Sequence, residues 1–233
     1  PFNNEQDIDC IDHISKEKNI IIYGTAGQGK SMLMRSLAVN EYSFSQRLPI
    51  FIELRYLKED RSLYDLINHQ FYKIGFPDLT NDLTIFLLKS GAFSLFLDGV
   101  DEVKRSHALD FKKDIEHLIG QCQKCRFTLS SRHGSLANLT SRDSNLIEAH
   151  IAKIPQNKIP VFLEKMGCSK EKSEFLYKSL QSSDSKVIQI LNTPLLLELF
   201  KHTYGTSANI PNNSIEFYRN IFHTLVFHHD ESK

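Results

Sequence analysis

Eight residues, Gly24-Thr25-Ala26-Gly27-Gln28-Gly29-Lys30-Ser31, constrain this chain more than any other stretch. They fill the pattern G-x-x-x-x-G-K-[ST], and their flanks meet its structural demand. Asn19-Ile20-Ile21-Ile22-Tyr23 in front is a short, apolar, β-branched run that reads as a buried parallel strand. Met32-Leu33-Met34-Arg35-Ser36-Leu37-Ala38-Val39 behind is made mostly of good helix formers. Strand, glycine-rich turn and helix, in that order, make a phosphate cradle. The glycines let backbone N–H groups turn inward and approach phosphates closely. The helix start adds unpaired N–H groups and the positive end of its dipole. In that frame Lys30 supplies a cation for the terminal phosphates, and the Ser31 hydroxyl is placed to ligate Mg²⁺.

The rest of the chain supplies a sheet for this cradle. Strands are expected at 20–23, 49–54, 93–97, 127–130 and 146–151, with helices between them at 31–39, 63–74, 82–89 and 107–118. Strands alternating with helices predict an α/β domain whose parallel sheet is covered on both faces. Near Ile154-Pro155 the pattern changes to helical periodicity alone, over 158–166, 170–180, 186–191 and 195–203. Pro194 suits a first helical position, with Thr193 or Asn192 as cap. The division is therefore 1–153 for a nucleotide-binding domain and 154–233 for a small helical domain. Ile215, Tyr218, Phe222 and Leu225 recur at helical spacing near the end and need a surface to pack against. With Pro1 in place of a methionine, this suggests a piece of a longer protein.

A second constellation lies in Ser94-Leu95-Phe96-Leu97-Asp98-Gly99-Val100-Asp101-Glu102. An apolar strand ends on an acid, and two more acids follow. Ligands of open α/β sheets bind beyond the C-terminal strand ends, so Asp98 is expected to face the same crevice as Lys30 and to hold Mg²⁺. Glu102, or failing it Asp101, is the candidate to polarise an attacking water. Arg132 follows the strand at 127–130 and is the candidate to stabilise charge on the γ-phosphate.

Composition removes several classes. The 233 residues carry 28 Lys+Arg and 28 Asp+Glu, so no broad basic surface argues for nucleic acid. No apolar run is long enough to cross a bilayer, and no signal peptide opens the chain. Four cysteines without a framework spacing fit a reducing, cytoplasmic setting. Cys122 and Cys125 have metal-like spacing near His117, but Cys10 and Cys168 are too isolated to complete a four-ligand site. His13 reads as a surface residue. The absence of an Asn-Lys-x-Asp guanine reader favours ATP over GTP.

Taken together, Gly24–Ser31, Leu95–Glu102, Thr128-Leu129-Ser130-Ser131-Arg132 and Asn192-Thr193-Pro194-Leu195-Leu196-Leu197 resemble a NACHT-type NTPase domain, one of the STAND signalling ATPases related to the AAA+ fold. Leu48–Arg55 resembles the family's second strand. The resemblance implies a five-stranded P-loop NTPase sheet and roles for named residues. Gly24, Thr25, Ala26, Gly27, Gln28, Gly29, Lys30, Ser31 and Met32 would hold ATP or ADP, and Asp98 would serve Mg²⁺. Asp101 and Glu102 would form the distal acidic pair, Arg132 the sensor, and Pro194 the contact to adenine. It also implies a slow ATPase acting as a switch, with nucleotide state controlling domain closure and homo-oligomerisation in innate or antiviral defence. The parent chain would supply effector and sensor domains, and a winged-helix domain after residue 233. The competing expectation is an AAA-like ATPase acting on nucleic acid, of the replication-initiator type. A small-molecule phosphotransferase would need an acceptor pocket and an arginine-bearing lid, neither of which is evident.

Overall fold

The computed structural model describes residues 19–58, 61–134, 146–183, 185–205, 210–211 and 213–230. Cys10 and His13 lie outside the described residues.

Two units emerge from the chain's internal contacts. The first comprises the described residues up to Thr25 and Lys30–Ile151. Its strands are β1 (Asn19–Tyr23), β2 (Leu48–Glu53), β3 (Phe93–Asp98), β4 (Arg126–Ser131) and β5 (Ile147–His150). All pairings are parallel, in the order β2-β3-β4-β1-β5. Each expected strand is therefore present within about a residue at either end. Among the described residues four α-helices accompany them: α1 (Lys30–Ser45), α2 (Leu63–Lys73), α3 (Asn81–Lys89) and α4 (Ala108–Gln121).

Side-chain alternation sorts the helices to opposite faces of the sheet. Ile20 and Ile22 of β1 and Phe96 of β3 pack with Met34, Leu37 and Ala38 of α1. Ile21, Leu95, Leu97, Phe127 and Leu129 point the other way, into a larger core with Leu63 and Phe71 of α2, Leu88 of α3, and Phe111 and Ile115 of α4. Local chemistry sets where these helices begin. The Ser62 hydroxyl accepts from the Asp65 N–H and the Asp65 carboxylate accepts from the Ser62 N–H, a capping box at α2. The Thr80 hydroxyl caps α3. Helix α1 runs six residues past the expected end at Val39. Asn40-Glu41-Tyr42 keeps a helical face, and Glu41 is drawn inward by a buried partner described below.

The second unit comprises Ala26–Gly29 and the residues from Ala152 onward. Its helices are α5 (Ile159–Lys165), α6 (Lys170–Gln181), α7 (Ser185–Ile190), α8 (Pro194–Tyr204) and α9 (Ser214–Asp230). Leu163, Leu176, Leu180, Val187, Leu197, Phe200 and Phe217 form its core. Pro194 is the first residue of α8, and of the two possible caps the Thr193 side chain is the one that accepts, from the Leu196 N–H. Helix α9 packs on this unit through Phe217 and Ile221, with the Phe217 ring stacked 5.7 Å from Tyr204. Ile215, Tyr218 and Phe222, expected on the packing stripe, are exposed instead, and the side chain of Leu225 lies outside those described. The helix carries apolar residues on two sides, and the pair spaced i, i+4 beside Tyr204 makes the buried one.

Candidate functional site

Parallel register explains how residues far apart in sequence reach one edge. Tyr23 lies opposite Ser131, Glu53 opposite Asp98, and Leu97 opposite Leu129. Glu53, Asp98, Ser131 and Tyr23 thus all sit at the C-terminal edge of four neighbouring strands. The glycine loop leaves β1 there, its Gly24 N–H donating to the Ser131 carbonyl at 3.2 Å.

Lys30 opens α1 and turns back over the loop that precedes it. Its ammonium donates to the Gly24 carbonyl at 2.7 Å and the Thr25 carbonyl at 3.1 Å. Burial pushes its pKa below the ordinary lysine value. Asp101 opposes that shift, Arg132 reinforces it, and Asp98 and Glu102 oppose it more weakly. Lys30 thus lies within electrostatic reach of every charged residue that the sequence assigned to the site. Ser31 and Met32, on the first turn of α1, are exposed.

Asp98 ends β3 and is buried. Its Oδ1 accepts from the Ser130 hydroxyl, whose oxygen in turn accepts from the Gly99 N–H at 2.9 Å. Ser130 therefore fixes both the carboxylate and the turn that follows. Gly99 adopts a φ of 85°, which L residues rarely reach, and so swings the chain from β3 into the short 3-10 turn Val100–Glu102. A Cβ on Gly99 would also come within 3.1 Å of the Glu102 side chain, which folds back over it. Asp101 is held differently. Its carboxylate accepts from the Arg132 backbone N–H at 3.0 Å and from the Arg132 Nε at 2.9 Å. Asp101 thereby orients Arg132, just beyond β4, while Glu102 remains exposed.

Sequence reasoning missed three participants. Ser130 was only part of a motif, and its partners follow from strand register alone. Glu53 accepts from Arg35 at 2.9 Å and Arg55 at 2.7 Å, with Arg55 the larger cause of its carboxyl lying below the ordinary value. Within the second unit, Leu195 donates its N–H to the Gly27 carbonyl at 3.2 Å. Gly27 has a φ of 75°, and a Cβ there would lie 2.9 Å from the Leu195 Cβ. Pro194 precedes Leu195 and is half-buried. Among the described residues no cluster of three His, Cys, Asp or Glu could hold a metal by itself, and Cys122 and Cys125 are buried free thiols. Burial pushes these thiols up to about 11 and about 12, so neither has thiolate character.

A positively charged loop beside a buried carboxylate at strand ends suits a phosphate chain with its divalent ion. The sequence profile of the NACHT domain matches residues 18–170. The chain belongs to the NACHT family. NACHT domains are P-loop NTPases, and nucleotide binding goes with that membership. Among curated proteins, none matches the chain in sequence. Solved structures share its fold. A Walker-type ATPase of Pyrococcus abyssi superposes with a TM-score of 0.57 at 14% identity, over 92% of this chain and 68% of that one. A Signal Transduction ATPase with Numerous Domains (STAND) from Pyrococcus horikoshii, bearing a tetratricopeptide repeat sensor, gives 0.53 at 15% identity, over 91% of this chain and 31% of that protein. Cdc6p of Pyrobaculum aerophilum gives 0.52 at 13% identity, over 82% and 54% respectively. The NACHT chain thus spans about a third of the STAND protein and about half of Cdc6p. No helix among its described residues is long and apolar enough to cross a membrane.

Proposed function

We propose that this NACHT chain is the ATP-binding and ATP-hydrolysing switch module of a larger cytoplasmic signalling protein. One observation carries the reading: the Lys30 ammonium rests on the carbonyls of its own loop, within reach of Asp98, Asp101, Glu102 and Arg132. A cation held by neutral carbonyls rather than by a carboxylate can transfer its hydrogen bonds to phosphate oxygens without breaking an ion pair. Gly24 through Met32 would bind the phosphates of ATP or ADP, and Ser31 and Asp98 would hold Mg²⁺, which would supply Lewis-acid stabilisation of the phosphates. Arg132, oriented by Asp101, would meet charge developing on the γ-phosphate. Because Asp101 is engaged with Arg132, Glu102 is the better candidate to take the proton of the attacking water.

Pro194, at the start of the helix that contacts the loop tip, would touch the adenine. The proposal keeps a functional division at 153/154, with Pro194 carried by residues 154–233. Turnover would be slow, the bound nucleotide governing domain closure and homo-oligomerisation in innate or antiviral defence, with effector and sensor domains in the parent chain. Family membership supports these last points only by analogy.

A titration of the purified chain with Mg-ATP and Mg-ADP tests the core of the proposal. Wild type is expected to bind, and Lys30→Ala to weaken binding by about 10- to 100-fold, the worth of charge-assisted hydrogen bonds to phosphate. Equal affinity in the two proteins would reject it.

A further inference from the structure

The opposite, N-terminal edge of the sheet holds a cavity of about 320 Å³. Three loops line it, each entering one of three adjacent strands. Arg47 precedes β2, Ser90 and Gly91 precede β3, and Lys124 and Cys125 precede β4, whose first residue Arg126 completes the wall. Among the described residues that line it are three cations, Arg47, Lys124 and Arg126, and no acid. Behind the wall, Glu41 accepts from Arg126 at 2.9 Å and lies 3.9 Å from Arg47. One carboxylate against three cations leaves a net charge of two positive units. The Cys125 thiol, pushed up to about 12 by burial, adds no negative charge.

We propose that this cavity is a second anion site, built for a small phosphate-bearing solute and separate from the glycine loop. Size, charge and preorganisation support it together. The volume falls at the small end of ligand sites. Arg126 is held rigid by Glu41, so little rotamer freedom is lost when an anion arrives. Glu41 is itself fixed by hydroxyl donation from Ser94 at 2.7 Å and Ser45 at 2.8 Å. Arg47, only loosely tied to Glu41, can turn its planar fork to an oxyanion, a geometry that suits phosphate. Lys124 adds a solvent-facing ammonium. Gly91 permits its approach: its φ is 78°, and a Cβ there would meet the Lys124 Cβ at 3.0 Å. The proposal does not depend on the nucleotide reading.

The test uses inorganic phosphate as the probe and the full chain carrying Lys30→Ala, which silences the glycine loop. Titration at fixed ionic strength, followed by amide chemical shifts and calorimetry, is expected to show saturable binding with shifts at Gly91, Lys124 and Cys125. Lys124→Glu, at an exposed position, should reduce affinity about tenfold, and Arg47→Ala several-fold. Circular dichroism should show both variants folded. Non-saturable shifts that sodium chloride reproduces would overturn the proposal. So would unchanged affinity in folded Lys124→Glu, or shifts confined to residues 24–31.

Discussion

At the N-terminal ends of the strands Glu41 and Arg126 neutralise each other, with side chains only 2% and 4% exposed. At the C-terminal ends Lys30 rests on carbonyls, Glu102 is exposed, and the Arg132 side chain stays 56% exposed although Asp101 holds it. Within that buried pair the charges are closed off from solvent, whereas the charged groups at the C-terminal edge stay open to it. A buried pair needs both members, because a lone charge in a low dielectric is strongly penalised. The contrast separates one buried pair, a fixture of the fold, from the solvent-open charges of the proposed nucleotide site, even though both consist of charged residues joined by hydrogen bonds.

The largest effect is expected at the closed pair. Glu41→Ala strands Arg126 and should lower unfolding free energy by about 3–5 kcal/mol. Urea denaturation measures it, and a loss below about 1 kcal/mol would show that the pair is not a fixture. Next comes Glu102→Gln at the open edge. Turnover should fall about 100-fold while ATP affinity holds, a split that single-turnover and binding assays resolve. If Asp101→Asn gives the larger fall in the chemical step, the two acids exchange roles. Ser130→Ala removes the partner of both Asp98 and the Gly99 N–H, so a stability loss of about 1–3 kcal/mol is expected. A neutral result would mean that water replaces the hydroxyl.

The smallest effect belongs to Glu53. Arg55, chiefly, and Arg35 depress its carboxyl below the ordinary 4.5. For a depressed acid the stabilisation is present above the unfolded-state value and disappears as pH falls through the folded-state one. Because solvent screens both arginines, the contribution to stability should be small. The gap in urea midpoint between wild type and Glu53→Gln should accordingly narrow as pH falls from neutral into the acid range. A gap that does not narrow would contradict the assignment.

Much of the open edge was legible in the chain. A phosphate loop announces itself because its pattern lies in contiguous backbone, and Asp98 could be named because it ends an apolar strand in a chain that also carries that loop. Glu102 could be ranked ahead of Asp101 for the attacking water, but the engagement of Asp101 was not visible, since only the fold brings Arg132, about thirty residues later, onto it. Ser130 could not be ranked above Ser131, because which of two serines faces Asp98 depends on a one-residue choice of register. The closed pair was not foreseen at all. Glu41 and Arg126 are 85 positions apart, in a helix and a strand whose periodicity marks neither as buried.

Short-range information in the sequence determined the element types, the phosphate loop and the family, because backbone propensity, turn chemistry and contiguous motifs act within a few residues. Tertiary structure decided which acid holds Arg132, which serine fixes Asp98, which face of α9 is buried and where a buried ion pair anchors the sheet. Those choices depend on strand order and register, which bring distant residues within hydrogen-bond range and change the dielectric around them.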